Sequence, residues 1–271
     1  MATFAENLLT LENVDGFIAM KLFGFDFIPV SQQTKYLTFL SSKAGITVTP
    51  VIVEPDYLYA SIDSIVKYNV NVTSLDILDI EAFVTSAIQT YNTNNLSNFN
   101  SNLIYSDLVE SINLAQSSIV GNQTTYKLMK KLIPTVGSSL NYQILFGQAL
   151  NSSLAPQNPV HSSSLDHCLI SSNFYFNGVL CNLEDDGSGN LRIVVLQSDG
   201  NDHQILSGAG TVDYTSGIVN LFNFAPTSYI GDSIRFYAKL QDGILDSSTA
   251  QNVIYEIPND EINVTAVAVR Q

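Results

Sequence analysis

Between Tyr57 and Tyr68 the chain alternates. Tyr57, Tyr59, Ser61, Asp63, Ile65 and Lys67 fall on one side, and Leu58, Ala60, Ile62, Ser64, Val66 and Tyr68 on the other. That period of two predicts a strand with one more apolar face, continued or paired through Val70 and Val72. The period then changes: Ile77, Ile80, Val84, Ala87, Ile88 and Tyr91 recur at three and four residues, the stripe of an amphipathic helix. Asp76, or nearby Thr73 or Ser74, supplies the cap oxygen, and Asn92 to Asn95 ends the helix. Ser106 is the expected N-cap of a second, short helix buried through Leu108, Val109 and Ile112. Gly121-Asn122 reads as a break before a strand over Thr124 to Ile133, stopped by Pro134. Strand, helix, short helix, strand makes an α+β unit in which helices cover one sheet face. Leu140 to Leu150 adds an alternation with Tyr142, Ile144 and Phe146 on one side.

The opening residues have no clean period. Ile18, Lys21 and Leu22 fit a helix from about Val14; Lys35 to Leu40 is a strand candidate with a turn at Ser41 to Gly45; Ile46 to Val53 reads as extended. The second half holds short extended stretches at Phe174 to Leu180, Leu191 to Leu196, Gln204 to Leu206, Gly210 to Tyr214, Ile218 to Phe224, Ser233 to Leu240, Val253 to Ile257 and Ile262 to Val269. Between several of them lie glycine-bearing turns: Asp185-Asp186-Gly187, Ser198-Asp199-Gly200, Thr215-Ser216-Gly217 and Gln241-Asp242-Gly243. This pattern predicts an antiparallel sandwich or open barrel. The expected fold is therefore α+β, with an extension over 1–50, a helix-covered α+β domain at 51–152, a linker at 153–168 and a mainly β domain at 169–271.

Composition narrows the function. The 271 residues carry 25 acidic and 11 basic side chains, net −14, with 13 Tyr, 14 Phe and no Trp. Such an acidic chain repels phosphate backbones, so nucleic acid is not an expected partner. Only 13% of residues are charged, about half the usual share, which suits surfaces buried in a permanent assembly. No apolar run approaches a membrane helix, and Met1 to Thr10 lacks the features of a signal peptide. The acidic excess is larger after residue 160, where 13 acidic face 4 basic side chains.

Catalytic and metal-binding patterns are weak, and no cofactor is expected. His161, His167, Asp166 and Cys168 could be drawn as a metal or Cys-His site, but without the spacing of a known motif they read better as surface residues of a polar loop. Glu184 to Asn190 departs from the calcium-loop order and reads as a hairpin tip, as does Asp199 to Asp202. Gly208-Ala209-Gly210 reads as a bulge or tight strand crossing. Lys127, Lys130 and Lys131 form the one basic cluster, with Lys127 and Lys131 pointing opposite to Lys130 if the segment is a strand. They are ordinary solvated charges or a patch for an acidic neighbour. Tyrosines, which bury a ring while keeping the hydroxyl paired, add Tyr57, Tyr59 and Tyr175 as contact candidates.

Several segments together resemble a family: Glu54 to Tyr59, Val66 to Asn69, Tyr91-Asn92 before Leu96 and Phe99, Tyr105 to Leu108, and Asn122 to Thr125. Gly210 to Gly217, Val219 to Leu221, Asn252 to Ile257 and Ile262 to Val264 extend the likeness. In order, these resemble the C-terminal portion of the large baseplate wedge subunit of T4-like contractile-tailed phages, a family grouped with the baseplate J-like proteins. The resemblance implies a non-enzymatic virion protein of the tail baseplate, assembled in the host cytoplasm. Its partners would be a second copy of itself, further copies around an inner ring, and other wedge proteins. No catalytic or metal-binding residue is carried over. Tyr57, Tyr59, Lys127, Lys130, Lys131, Tyr175, Asp213 and Tyr214 are the residues expected to touch partners. The rival reading is a tail-associated carbohydrate-binding or depolymerising module, which a row of exposed aromatics or a carboxylate pair in a cleft would favour.

Overall fold

A computed structural model describes residues 9–14, 17–22, 30–43, 56–152, 167–196, 202–248 and 253–270. It opens with an antiparallel pair, β1 (Leu9–Val14) and β2 (Phe17–Leu22), then a helix, α1 (Val30–Lys43). Both overturn local expectations. The helix expected from about Val14 is strand β2, because Phe17–Leu22 finds a partner strand only two residues upstream. The strand expected at Lys35 to Leu40 lies inside α1, where Tyr36, Leu37 and Leu40 are half-buried and Phe39 is exposed. So short an apolar run satisfies either period. Ile46 to Val53 lies outside the described residues, as do positions 44 and 45 of the expected turn.

The alternating segment forms β3 (Asp56–Asn69), a strand of 14 residues. Helix α2 (Ile77–Asn95) follows. Asp76 accepts from the Asp79 amide and Asp79 returns the favour to the Asp76 amide, a reciprocal cap at 2.9 and 3.3 Å. Ile80, Val84, Ile88 and Tyr91 are its buried stripe, as the spacing predicts. After β4 (Asn102–Leu103) comes α3 (Tyr105–Asn113). Its cap is not Ser106 but Ile104, whose side chain cannot cap; the Tyr105 amide instead donates to Asp246, 141 residues away, at 2.8 Å. Strand β5 (Ile119–Leu132) starts earlier than expected, running through Gly121-Asn122, which sit in the ladder opposite Lys67 and Val66.

The remaining strands are β6 (Leu140–Leu145), β7 (Leu169–Ser171), β8 (Phe174–Phe176), β9 (Val179–Asp185), β10 (Asn190–Leu196), β11 (Asp202–Asp213), β12 (Ile218–Phe224), β13 (Ser228–Tyr229), β14 (Ile234–Ala238), β15 (Ser247–Ser248), β16 (Val253–Glu256) and β17 (Ile262–Val269). The stretch Phe174 to Leu180 is split by a turn at Asn177-Gly178, both at positive φ. Gln204 to Leu206 and Gly210 to Tyr214 join into β11. The register against β10 jumps from Gly210 opposite Leu191 to Ser207 opposite Arg192, so Gly208-Ala209 form the expected bulge.

One sheet runs in the order β16, β3, β5, β14, β7, β9, β10, β11, β12, β6, with β17 beside β3 after β16. Strands β16 and β17 lie parallel to β3; the other pairings are antiparallel. Strands on either side of residues 153–168 therefore interleave: β6 pairs with β12, and β5 with β14. Beyond β6, Leu150 bridges Leu240, with Asn151 donating to Lys239 O and Gln241 to Ala149 O, which ties the far end of the order back towards β14. The fold is a mixed α+β one dominated by strands. Its apolar core is continuous from Leu58, Val84 and Leu108 to Leu191, Phe224 and Phe236. The helices α2 and α3 lie on one face of β17, β3 and β5. Among the described residues nothing packs on the distal half of the opposite face, where Asp63, Ile65 and Lys67 are exposed, and this asymmetry positions the candidate interface.

Candidate partner interface

Alternation along β3 decides which side chains reach that open face. Leu58, Ala60, Ile62, Ser64 and Val66 point under the helices and are buried; Asp63, Ile65 and Lys67 point out and are exposed. The buried side is closed even to polar atoms, since Ser64 and Thr124 hydroxyls pair at 2.8 Å. On the outward side the pairing register aligns three rows across β17, β3 and β5. These are Asn263–Asp63–Thr125, Thr265–Ile65–Gln123 and Val267–Lys67–Gly121. Ile65 keeps 44% of its surface exposed and Val267 40%. Asn263 donates to Asp63 at 3.0 Å. Sequence reading passed over this patch, although Ile65 on the polar side of β3 was its signal.

The proximal end of the same face is aromatic and basic. Tyr57 and Tyr59 stack with ring centroids 5.8 Å apart, and the Lys131 ammonium lies 5.0 Å from the Tyr59 centroid. Burial raises the Tyr59 pKa, with help from the charges of Glu256, Tyr57, Asp56 and Asp232. Next to it on β14, Arg235 bridges to Asp260 at 2.6 Å and Glu261 at 2.5 Å, and Tyr237 donates to Glu261 at 2.8 Å. The structure brings together Tyr57, Tyr59 and Lys131 of the expected contact residues. Lys127 is half-buried on the same face, opposite Ser61. Lys130 points the other way, as alternation requires, and its buried ammonium meets Asp56 at 2.5 Å.

The other expected contact residues lie elsewhere. Tyr175 is partly exposed on β8, paired with Leu180. Asp213 closes the Thr215-Ser216 turn, accepting from the Ser216 hydroxyl at 2.6 Å and from the Thr215 amide at 3.0 Å. The half-buried Tyr214 hydroxyl donates to Asp185 at 2.7 Å.

Two polar loops read as surface prove to be partly interior. His167 is buried, with Nε2 3.1 Å from a Glu184 oxygen and Nδ1 2.9 Å from the Asp185 carbonyl. Glu184 also accepts from Arg192 Nε at 2.8 Å, and Asp185 accepts from the Leu169 amide at 2.9 Å. Only residues 186–189 form the hairpin tip, organised by Asp186, which accepts from the Ser188 and Asn190 amides. Glu184 and Asp185 are inside because they sit on β9, facing β7 and β10. His161 lies outside the described residues, as do Asp199 to Asn201 and the side chain of His203. A shallow groove between α2 and α3, about 420 Å³, is lined by Phe83, Ala87, Tyr91, Leu114 and small polar residues, with no carboxylate.

Residues 56–131, from the first residue of β3 nearly to the end of β5, match the family model described as Gp6_C-III, baseplate structural protein gp6, C-terminal domain III. The curated proteins include no match to this chain. The family match supports a phage baseplate protein with a structural role and a place in the virion tail, and it implies contacts with other baseplate proteins.

Proposed function

We propose that this chain is a wedge subunit of a contractile, T4-like phage baseplate, which self-associates within the inner ring and docks other wedge proteins. The family match over 56–131 carries the reading. The matched residues are those that build the helix-covered, one-face-open sheet, a shape suited to lateral contact. A surface poor in charge loses little hydration energy when covered, and permanent interfaces typically bury about 2,000 Å² or more. In this reading Tyr57, Tyr59, Lys127 and Lys131 contact one neighbour from the 51–152 half. Tyr175, Asp213 and Tyr214 contact another from the 169–271 half, and Lys130 acts by supporting the strand beneath. Assembly takes place in the host cytoplasm, before the tail is complete.

The test is the solution mass of the chain over a concentration series. A dimer or larger species is expected; a strict monomer up to about 100 μM, where contacts worth about −5 kcal/mol would be visible, overturns the proposal.

A further inference from the structure

We propose that helix α1 closes over the groove between α2 and α3 of its own chain, a built-in lid that any outside partner of the groove must displace. The proposal does not depend on the self-association proposed above.

Helix α1 needs a surface to lie on. Its 14 residues include three serines and two threonines, and a helix of that length and composition is marginal in water without packing. Leu37, Leu40 and Phe39 follow one another around one side of it. Phe39 is 61% exposed, and Leu37 and Leu40 are only half-buried. Among the described residues no strand or other helix packs broadly against α1.

The groove offers the matching surface. Phe83, Ala87 and Tyr91 line it from α2, and Leu114 and Ala115 from the end of α3; Phe83 is 47% exposed and Leu114 75%. Its volume of about 420 Å³ has room for the Phe39 ring and the leucine beside it. A third helix laid between two packed helices is an ordinary ridge-and-groove arrangement. Charge agrees with shape. Helix α1 carries Lys35 and Lys43 and no acidic residue. Helices α2 and α3 carry Asp79, Glu81, Asp107 and Glu110 and no basic residue. Asp79 stands one helical turn before Phe83, and Asp107 one turn before Ser111 of the groove wall, so two of these acids flank the groove.

The connection reaches. Only positions 44–55 separate α1 from β3, and twelve residues span up to about 40 Å when extended. Asp56 enters the sheet opposite Val253 of β16. Two residues on, the Tyr255 carbonyl accepts from the Ser97 amide at 2.6 Å, and the Ile257 amide donates to the Asn92 side chain at 2.8 Å. The C-terminal end of α2 therefore stands at the end of the sheet where the chain arrives from α1. From there to Phe83 the groove runs about 18 Å along α2, well within the span. A short connection also sets an effective concentration on the order of millimolar, so a modest contact suffices to hold the lid.

The chain has no tryptophan, so Phe39→Trp in the full chain places a single fluorescent reporter on α1. With α1 in the groove, its emission lies to the blue of free tryptophan amide and acrylamide quenches it less. Adding Leu114→Lys puts a like charge where an exposed apolar side chain stood, and both readouts return towards those of tryptophan amide while the circular dichroism of the fold is kept. Ser86→Arg does the same from the other wall. The proposal is overturned if Phe39→Trp emits and is quenched as tryptophan amide does, or if neither groove substitution moves its signal. A blue shift that appears only as protein concentration rises assigns α1 to the groove of another copy, and overturns it too.

Discussion

The Lys130 ammonium lies 2.5 Å from an Asp56 carboxylate oxygen, with the lysine side chain 8% exposed and the aspartate half exposed. Burial lowers the Lys130 pKa, and Asp56 opposes that shift through its hydrogen bond and charge. Asp56 is the first residue of β3 and Lys130 is near the end of β5, so the pair pins the start of one strand to the close of its neighbour.

Asp56→Asn leaves this ammonium buried against a neutral amide and costs about 1–3 kcal/mol near neutral pH. A base whose folded pKa lies below its unfolded value carries its burial penalty at low pH. It sheds that penalty as pH rises from the folded value towards 10.5. Without Asp56 the folded value falls further, so the variant begins to recover at lower pH. Urea unfolding in a series from about pH 7 to about pH 10 should show the deficit shrinking; a constant deficit would mean the pair contributes packing and no charge.

Glu184 neutralises the buried Arg192 guanidinium, 2.7 Å away, and lies 3.1 Å from His167 Nε2. Glu184→Gln removes that charge while keeping the shape, and breaking a buried pair from one side costs about 3–5 kcal/mol. The replacement of Glu184 and Arg192 together by Leu should cost less than Glu184→Gln alone, in a thermal melt of each. Equal losses would refute the ion-pair account.

Gly210 has no room for a side chain: a β-carbon there would lie 2.1 Å from the Asn220 carbonyl oxygen and 2.9 Å from a Leu191 methyl. Gly210→Ala must push β12 away from β11 and is expected to cost about 1–3 kcal/mol or more. Gly121→Ala, in open space at negative φ, changes stability by less than about 0.5 kcal/mol. Denaturant midpoints of the two variants measure the difference.

Cys168 is buried, and burial, followed by the Asp185 charge, pushes its thiol from 9.0 up to about 12. The folded state keeps this proton after the unfolded chain has lost it. Stability from the neutral thiol is therefore complete below about pH 9 and lost as pH rises towards 12, by up to about 1.4 kcal/mol per pH unit. Cys168→Ala should lie below the unaltered chain at pH 8, for the small cavity, and close on it as the solution becomes alkaline. A gap that stays fixed with pH would remove the thiol from the account.

What could be read from the residues follows the range of the forces involved. Helix α2 and strand β3 are legible because their periods persist over many residues and their buried faces agree with those periods. The direction of Lys130 against Lys127 and Lys131 followed from alternation once β5 was placed. The α3 cap was not legible, because Asp246 reaches it from the far side of the chain. Strand β2 failed for the same kind of reason, since β1 sets its form, while in helix α1 the short apolar run fits either period. The interior position of His167 and Glu184 was hidden because a cluster of charges reads as solvated until counter-charges from β10 are known to meet it. On the candidate face, Tyr57 and Tyr59 were legible as contact candidates, but their stacking was not. The Ile65 row needed the register of β17 beside β3.

That register also has a temporal side. The edge of β3 over Ile62–Asn69 is completed by Ile262–Val269, two hundred positions later, and the α2 residue Glu81 accepts from the Ala266 amide at 3.0 Å. A nascent chain on the ribosome thus holds this edge of β3 open until about two hundred further residues have been translated. Loop closure over such a span is slow, and the exposed strand is a target for chaperones or for wrong pairing meanwhile. Polypeptides released before β17 is made lack the finished edge of β3 and differ in shape from copies that carry it.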